Sequence, residues 1–248
     1  MKVSIITATY NSEKTLRDTL ISVEAQTYHD IEYIIIDGAS TDGTLNLVKQ
    51  LSSRVTKIVS EKDKGIYDAL NKGVELATGD VIGFIHSDDI LARPDIIESV
   101  VKEFKRTNAD LIYGDLVFID RDNTKKIKRY WRSGPFKKSK LGLGWAPPHP
   151  SLYMRKQLYR EDGLFNLIFK IAADYDQMIR VLQRDNISVT YLPETIVKMR
   201  LGGESTKIEN SVSSTKEIIE IMKKHNINWR LAIFYRKFVK LLQLFQKA

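Results

Sequence analysis

The 248-residue chain contains no cysteine, which excludes disulfide frameworks, thiolate nucleophiles and cysteine-ligated metals. No uninterrupted apolar run approaches the ~20 residues that a membrane-spanning helix needs. The start, Met1-Lys2-Val3-Ser4-Ile5-Ile6, has no signal-peptide layout and runs straight into a strand-like segment. The protein is therefore expected to stay where it is made, in the cytoplasm. Internal repeats and low-complexity tracts are also missing, so solenoids and disordered linkers are set aside.

What is present is the balance of a globular protein, 43% hydrophobic and 28% charged, in a chain long enough for one large domain. The net charge of +8 is concentrated. Between Thr124 and Lys140 stand Lys125, Lys126, Lys128, Arg129, Arg132, Lys137, Lys138 and Lys140 with no acid among them. After Ile227 come Arg230, Arg236, Lys237, Lys240 and Lys247, again without an acid. Such patches are either solvated surface or a contact for an anionic partner.

The first half alternates β-branched apolar runs with amphipathic stretches. Strands are expected at Val3–Ala8, Tyr33–Ile36, Lys57–Val59, Val81–Ile85 and Leu111–Tyr113. Between them, helices carry Leu16, Leu20 and Val23, then Ile66, Leu70, Val74 and Ala77, then Ile96, Ile97, Val100, Val101 and Phe104 on single faces. Asn11 or Ser12 is placed to cap the first. This alternation predicts an α/β fold with an open, mostly parallel, doubly wound sheet, whose ligands lie beyond the carboxyl ends of the strands. The second half is less regular. Glycines and prolines from Gly134 to Pro150 mark a long loop, followed by a helix over Ala173–Gln183 and a strand near Ser188–Leu192. The last stretch reads as an amphipathic helical tail. Phe234, Phe238, Leu241, Leu242 and Phe245 project to one face, and Arg236, Lys237, Lys240 and Lys247 to the other.

Each early strand ends in a polar cluster: Thr7-Ala8-Thr9-Tyr10-Asn11, then Asp37-Gly38-Ala39-Ser40-Thr41-Asp42-Gly43, then Glu61-Lys62-Asp63-Lys64-Gly65, then His86-Ser87-Asp88-Asp89. Asp37 is either an anchor for a nucleobase N–H or the start of an Asx-turn. Asp88-Asp89 is a costly pair of carboxylates. A hard divalent cation, Mg²⁺ or Mn²⁺, would offset it with help from substrate phosphates; helix capping before Pro94 is the plainer alternative.

Together with Gln26-Thr27-Tyr28 and Asp63-Lys64-Gly65-Ile66-Tyr67-Asp68-Ala69-Leu70-Asn71-Lys72-Gly73, these clusters resemble the family-2 glycosyltransferases of GT-A fold, over roughly Lys2 to Ser205. The resemblance implies a nucleotide-sugar half at residues 1–115, an acceptor and catalytic half at 116–205 and a helical appendage at 206–248. It implies that Thr7, Ala8, Tyr10, Asp37, Asp63, Lys64 and Asn71 hold the donor, that Asp88 contacts ribose or sugar, and that Asp89 binds the metal. Ser87 stands where that family often has another aspartate, which puts a second carboxylate ligand in doubt. Ala173-Asp174-Tyr175-Asp176-Gln177 resembles the segment carrying the family's base, which makes Asp174 the expected base and sends Asp176 to another side of the helix. His149 falls in the expected acceptor loop. Arg200, before Leu201-Gly202-Gly203-Glu204-Ser205, is expected to clamp the diphosphate.

The activity implied is transfer, with inversion, from a UDP- or dTDP-type sugar to a saccharide or lipid-linked saccharide in surface polysaccharide synthesis. The basic tail then either docks on an anionic membrane or packs on the domain or a second subunit. Rivals fare worse. A Rossmann dehydrogenase needs Gly-X-Gly-X-X-Gly after the first strand. A sugar nucleotidyltransferase of related fold would open on a glycine-rich basic loop. A nucleic-acid binder leaves the acidic strand ends unexplained, so no nucleic-acid partner is expected.

Overall fold

The computed structural model describes residues 1–202 and 208–243, with no side-chain description for 208–212 and 240–243. Gly203, Glu204 and Ser205 of the late loop, and the side chains of Lys240, Leu241, Leu242, Phe245 and Lys247, lie outside the described residues.

The β-branched runs form β1 (Val3–Thr9), β2 (Ile31–Asp37), β3 (Val55–Ser60) and β4 (Val81–Phe84), paired in parallel in the order β3-β2-β1-β4. The crossovers are α1 (Glu13–Glu24), α2 (Thr44–Leu51) and α3 (Ile66–Leu76). On α1, Leu16, Leu20 and Val23 are fully buried, as their spacing predicts. On α3, Leu70 and Val74 are buried but Ile66 is 42% exposed, and Tyr67 turns inward instead. Gly73 lets α3 approach β1, because a Cβ there would stand 2.5 Å from Ile6.

Beyond β4 the sheet becomes mixed. The elements are β5 (Ile90–Leu91), α4 (Ile96–Thr107), β6 (Leu111–Ile119), β7 (Ile127–Trp131), β8 (Leu152–Arg155), α5 (Lys156–Glu161), α6 (Ala173–Leu182), β9 (Val189–Arg200), α7 (Ile208–Lys224) and α8 (Trp229–Gln243). Strand β8 lies antiparallel between β4 and β6, while β6 and β9 run parallel. The parallel, doubly wound expectation thus describes the first half of the sheet. One apolar core, with α3 and α6, fills one face, and another, with α1 and α4, fills the other.

The basic run is largely the edge strand β7 and the turn after it. Lys128 pairs with Asp120 at 2.9 Å and Lys138 with Asp185 at 2.8 Å, while the Arg129 guanidinium lies 3.8 Å over the Phe118 ring. Helix α8 packs on the domain through the side that carries Arg236, while Lys237 stays exposed. Ala232 is fully buried, and Arg236 lies 4.9 Å over the Tyr175 ring and donates to the Gly144 carbonyl at 2.8 Å. Leu231, Phe234 and Phe238 face solvent, 51%, 71% and 52% exposed. The inward face is thus the one with small Ala232 and a stem-burying arginine, which fit closely where phenylalanines do not.

Candidate active site

The carboxyl ends of β1, β2 and β4 open on one edge. At the end of β1, Thr7 is fully buried, its Oγ1 donating to the Ile85 carbonyl at 2.7 Å and lying 3.1 Å from Tyr33 Oη. Ala8 is also buried. Both lie at the carboxyl end of β1, with the Thr7 hydroxyl engaged inside the protein. Tyr10 is 63% exposed. Asn11 caps no helix; its Oδ1 accepts the Thr41 N–H at 2.9 Å and joins the first two loops.

Asp37 takes its Asx-turn form. It is fully buried and accepts the Ser40 N–H at 3.0 Å, together with the Ser40 and Ser60 hydroxyls. Those bonds hold the loop that starts at Gly38. Beside Gly38 stand Asp63 and Tyr10, so near that an added Cβ would lie 2.6 Å from Asp63 Oδ2 and 3.3 Å from the Tyr10 ring. Asp63, half-buried, is held by the Gly65 N–H at 2.9 Å, and Lys64 beside it is exposed. Tyr10, Gly38 and Asp63 therefore form an open rim. Asn71 is not part of it. Its side chain makes two 2.9 Å bonds with the Phe165 backbone, pinning α3 to the loop before α6.

At the end of β4 the two aspartates separate. Asp89 is fully buried and neither of its oxygens has a hydrogen-bond partner. Burial, and then the charge of Asp88, raises its pKa well above the usual carboxylate range, with Arg200 acting in the opposite direction. A metal ligand must be deprotonated, and two buried carboxylate oxygens without a partner are groups that a bound cation would satisfy. Asp88 is the half-buried neighbour, and its carboxylate makes no hydrogen bond or ion pair among the described residues. Arg200 is engaged within the protein. It is 6% exposed and donates to the Asp88 carbonyl at 3.0 Å, to the Arg121 carbonyl at 2.9 Å and to the Asp18 carboxylate. The arginine is a brace that fixes the backbone carrying Asp88.

Asp174 lies in the first turn of α6, half-buried. Its Oδ1 accepts Tyr67 Oη at 2.9 Å and the Tyr175 N–H at 2.8 Å, while Oδ2 accepts no hydrogen bond among the described residues. Tyr67 Oη also lies 2.8 Å from the Ile171 carbonyl. Burial, then the charge of Asp174, raises the Tyr67 phenol well above its ordinary pKa, so it stays a donor. The turn leading into α6 is held by Glu217 of α7, which accepts the N–H groups of Lys170, Ile171 and Ala172 at 2.9–3.0 Å. Asp176 points elsewhere, as expected, bonded to Arg180, Lys224 and His225 in the interior.

His149 is 3% exposed, stacked on Phe84 with centroids 5.0 Å apart and 6.2 Å from the His86 ring. Burial, against the pull of Asp174, lowers its pKa to about 4. It stands buried beside Phe84, and its Nε2 has no hydrogen-bond partner among the described residues. Tyr67 and Glu217 were not singled out from sequence. Tyr67 sits within a quoted motif, but its partner is 107 positions away, and nothing local marks Glu217.

The fold is that of the GT-A transferases, and comparison with known proteins agrees with it. The model of glycosyl transferase family 2 matches residues 4–164, and the chain belongs to that family. It is 30% identical over 210 residues to a PGL/p-HBAD biosynthesis glycosyltransferase of Mycobacterium bovis, covering 83% of this chain and 79% of the relative. Staphylococcus aureus TarS 1-349, solved with UDP-GlcNAc, is similar with TM-score 0.71 at 19% identity, over 91% of this chain and 65% of that one. The chain spans 39% of the longer TarS chain that it also matches. A Pyrobaculum calidifontis mannosyltransferase solved with GDP-Man and Mn²⁺ has TM-score 0.66 at 18% identity, over 90% and 63% of the two chains.

Proposed function

We propose that the protein transfers a sugar, with inversion, from a nucleoside-diphosphate sugar of UDP or dTDP type to a hydroxyl of a saccharide or lipid-linked saccharide in surface polysaccharide synthesis. The observation that carries this reading is the Asp174 carboxylate, oriented through Oδ1 by Tyr67 and the Tyr175 amide, with Oδ2 left to take a proton. The UDP-GlcNAc complex of TarS supports the donor class, and the mycobacterial relative's place in PGL/p-HBAD biosynthesis supports transfer in a biosynthetic pathway. Residues 1–115 supply the donor rim, 116–205 the base and acceptor walls, and the tail follows.

In this mechanism the acceptor oxygen attacks the anomeric carbon from the face opposite the diphosphate. The anomeric C–O bond breaks with its electron pair going to the nucleoside diphosphate, and the acceptor proton passes to Asp174 Oδ2. Tyr67 holds the carboxylate in place throughout, and Tyr10 and Asp63 bound the nucleotide end with Lys64 beside them. Among the described residues no group of three or more potential ligands is assembled for a metal. The accessible, unpartnered Asp88 nonetheless fits the pattern in which one carboxylate and the substrate phosphates share a Mg²⁺ or Mn²⁺. Such an ion would offset charge on the departing diphosphate. A screen of nucleotide sugars with Mn²⁺ for nucleoside diphosphate release tests the reading; pyrophosphate release would point to a nucleotidyltransferase instead.

The same reading places the protein peripherally on a membrane. No described helix is long and apolar enough to cross one. The outward stripe Leu231, Phe234 and Phe238 of α8 has exposed Arg230 and Lys237 along its flank and no acidic residue on the helix. This is the composition of a helix that lies in an anionic interface.

A further inference from the structure

A cavity of about 350 Å³ opens between β6, β7 and β9, lined among others by Asp115, Tyr130, Trp131 and Tyr191. No residue of it belongs to the donor rim or the base. Asp115 Oδ1 accepts the Ser133 N–H at 2.8 Å and Tyr191 Oη at 2.9 Å, while Oδ2 accepts no hydrogen bond among the described residues. The β6–β9 register shifts on both sides of Asp115, an irregularity of the kind that re-aims a side chain out of the ladder beside an active site. Trp131 lies parallel to Phe118 at 6.5 Å and Tyr191 packs on Tyr113 at 5.6 Å, so two of the aromatic walls are braced from behind.

The register locates this cavity. Gly83 of β4 pairs with Tyr153 of β8, which pairs with Ile112 of β6. Strands β4 and β6 are both antiparallel to β8 and so run the same way. Three residues on, Asp115 is roughly level with His86 and two strands away, or about 10 Å at the ordinary strand spacing. Aromatic packing and one hydrogen bond join the two places: Tyr191 packs on Tyr113 and Tyr113 on Trp145 at 5.7 Å, and Tyr175, next to Asp174, donates its hydroxyl to the carbonyl of the adjoining Gly144 at 3.3 Å.

We infer that this cavity holds a non-reacting sugar ring of the acceptor, so that the acceptor is an oligosaccharide or a glycan of more than one ring. Aromatic walls cover the C–H faces of a pyranose, and a fixed carboxylate oxygen accepts its hydroxyls; convergent polar groups on apolar walls are how small-ligand sites gain specificity. The inference rests on the transferase reading and deepens it.

The test is a glycan array of immobilised mono- and oligosaccharides probed with the wild type, Tyr130→Ala and Asp115→Asn in the presence of UDP. Melting curves report the fold of each variant, and Tyr130, on an edge strand, is the variant least tied to the core. The wild type is expected to retain oligosaccharides in preference to single sugars, and both folded variants to lose that signal by ~10-fold or more, the worth of a hydrogen bond to a charged group. Undiminished retention by both folded variants overturns the assignment. So does a wild type that hydrolyses a nucleotide sugar yet retains no saccharide, which leaves the transferase reading standing. A wild type that does neither overturns both.

Discussion

Tyr67 Oη lies 2.9 Å from Asp174 Oδ1, although the two residues are 107 positions apart in the chain. The bond joins the first turn of α3 to the first turn of α6, which carries the proposed base. It consumes one carboxylate oxygen and aims the other. Tyr67→Phe should therefore keep the fold and the donor KM but lower kcat about 10- to 100-fold, the worth of a hydrogen bond to a charged acceptor. Steady-state kinetics on a donor accepted by the wild type checks this; an unchanged kcat removes Tyr67 from the machinery.

Asp88 and Asp89 should behave oppositely. Asp88→Asn removes the half-buried carboxylate that has no partner among the described residues, and should cost about 100-fold or more in metal-stimulated turnover, comparable to deleting one stabilising group at a developing charge. Asp89→Asn replaces a buried carboxyl with an isostere and should retain most activity. Titrating both variants with Mn²⁺ decides between them, and the reverse ranking would restore Asp89 as the ligand.

Acid should weaken the fold in two stages. His149 has its pKa lowered to about 4 by burial, while an unfolded histidine titrates near 6.5. Between those values the unfolded chain binds the extra proton, so stability is full above about 6.5 and falls as pH drops toward 4. Glu32 and Asp176 act lower. Burial alone would raise each pKa. The Ser4 and Thr78 bonds hold Glu32 at about 2, and bonds from His225 and Lys224 with the charge of Arg180 hold Asp176 at about 2. Their stabilisation, roughly 2–3 kcal/mol each, is complete above the unfolded carboxylate range and lost as pH falls toward 2. Urea melts across pH should show both stages, and His149→Phe should shrink the upper one without touching the lower, the remainder coming from His86, whose pKa burial also lowers. A variant that keeps that stage undiminished contradicts the assignment.

The outward face of α8 should control lipid binding without touching the active site. Phe234→Ser with Phe238→Ser removes two aromatic anchors, and sedimentation with phosphatidylglycerol-rich vesicles should show binding reduced about tenfold or more. Intact binding by the double variant, or none by the wild type, contradicts docking through this helix.

Much of this architecture is legible in the sequence, and the boundary is physical. Parallel strands buried on both faces announce themselves as β-branched runs, so β1, β2 and β4 stand out, and the 3.6 period exposes α1 and α4. Strand β8 is four residues long and β5 two, too short for any period, which is why the mixed second half is hidden. Motif position told where Asp174 and Asp88 lie along the chain. It could not tell which way a side chain turns: Arg200 and Asn71 bond to backbone far away in sequence, and Asp37 closes on its own loop. The tail showed the same limit. Its two faces were separable by projection, but which one meets the domain depends on the groove around Gly144, where φ is +73° and Met222 and Ala232 crowd close.

The central claim is that Asp174 takes the acceptor proton. The most direct measurement is acceptor-dependent release of nucleoside diphosphate by wild type and Asp174→Asn, with a donor found by the nucleotide-sugar screen and Mn²⁺ present. The predicted result is a loss of about 10²- to 10⁴-fold in kcat with donor affinity retained, the range general base catalysis supplies. Turnover within a few-fold of wild type would contradict it.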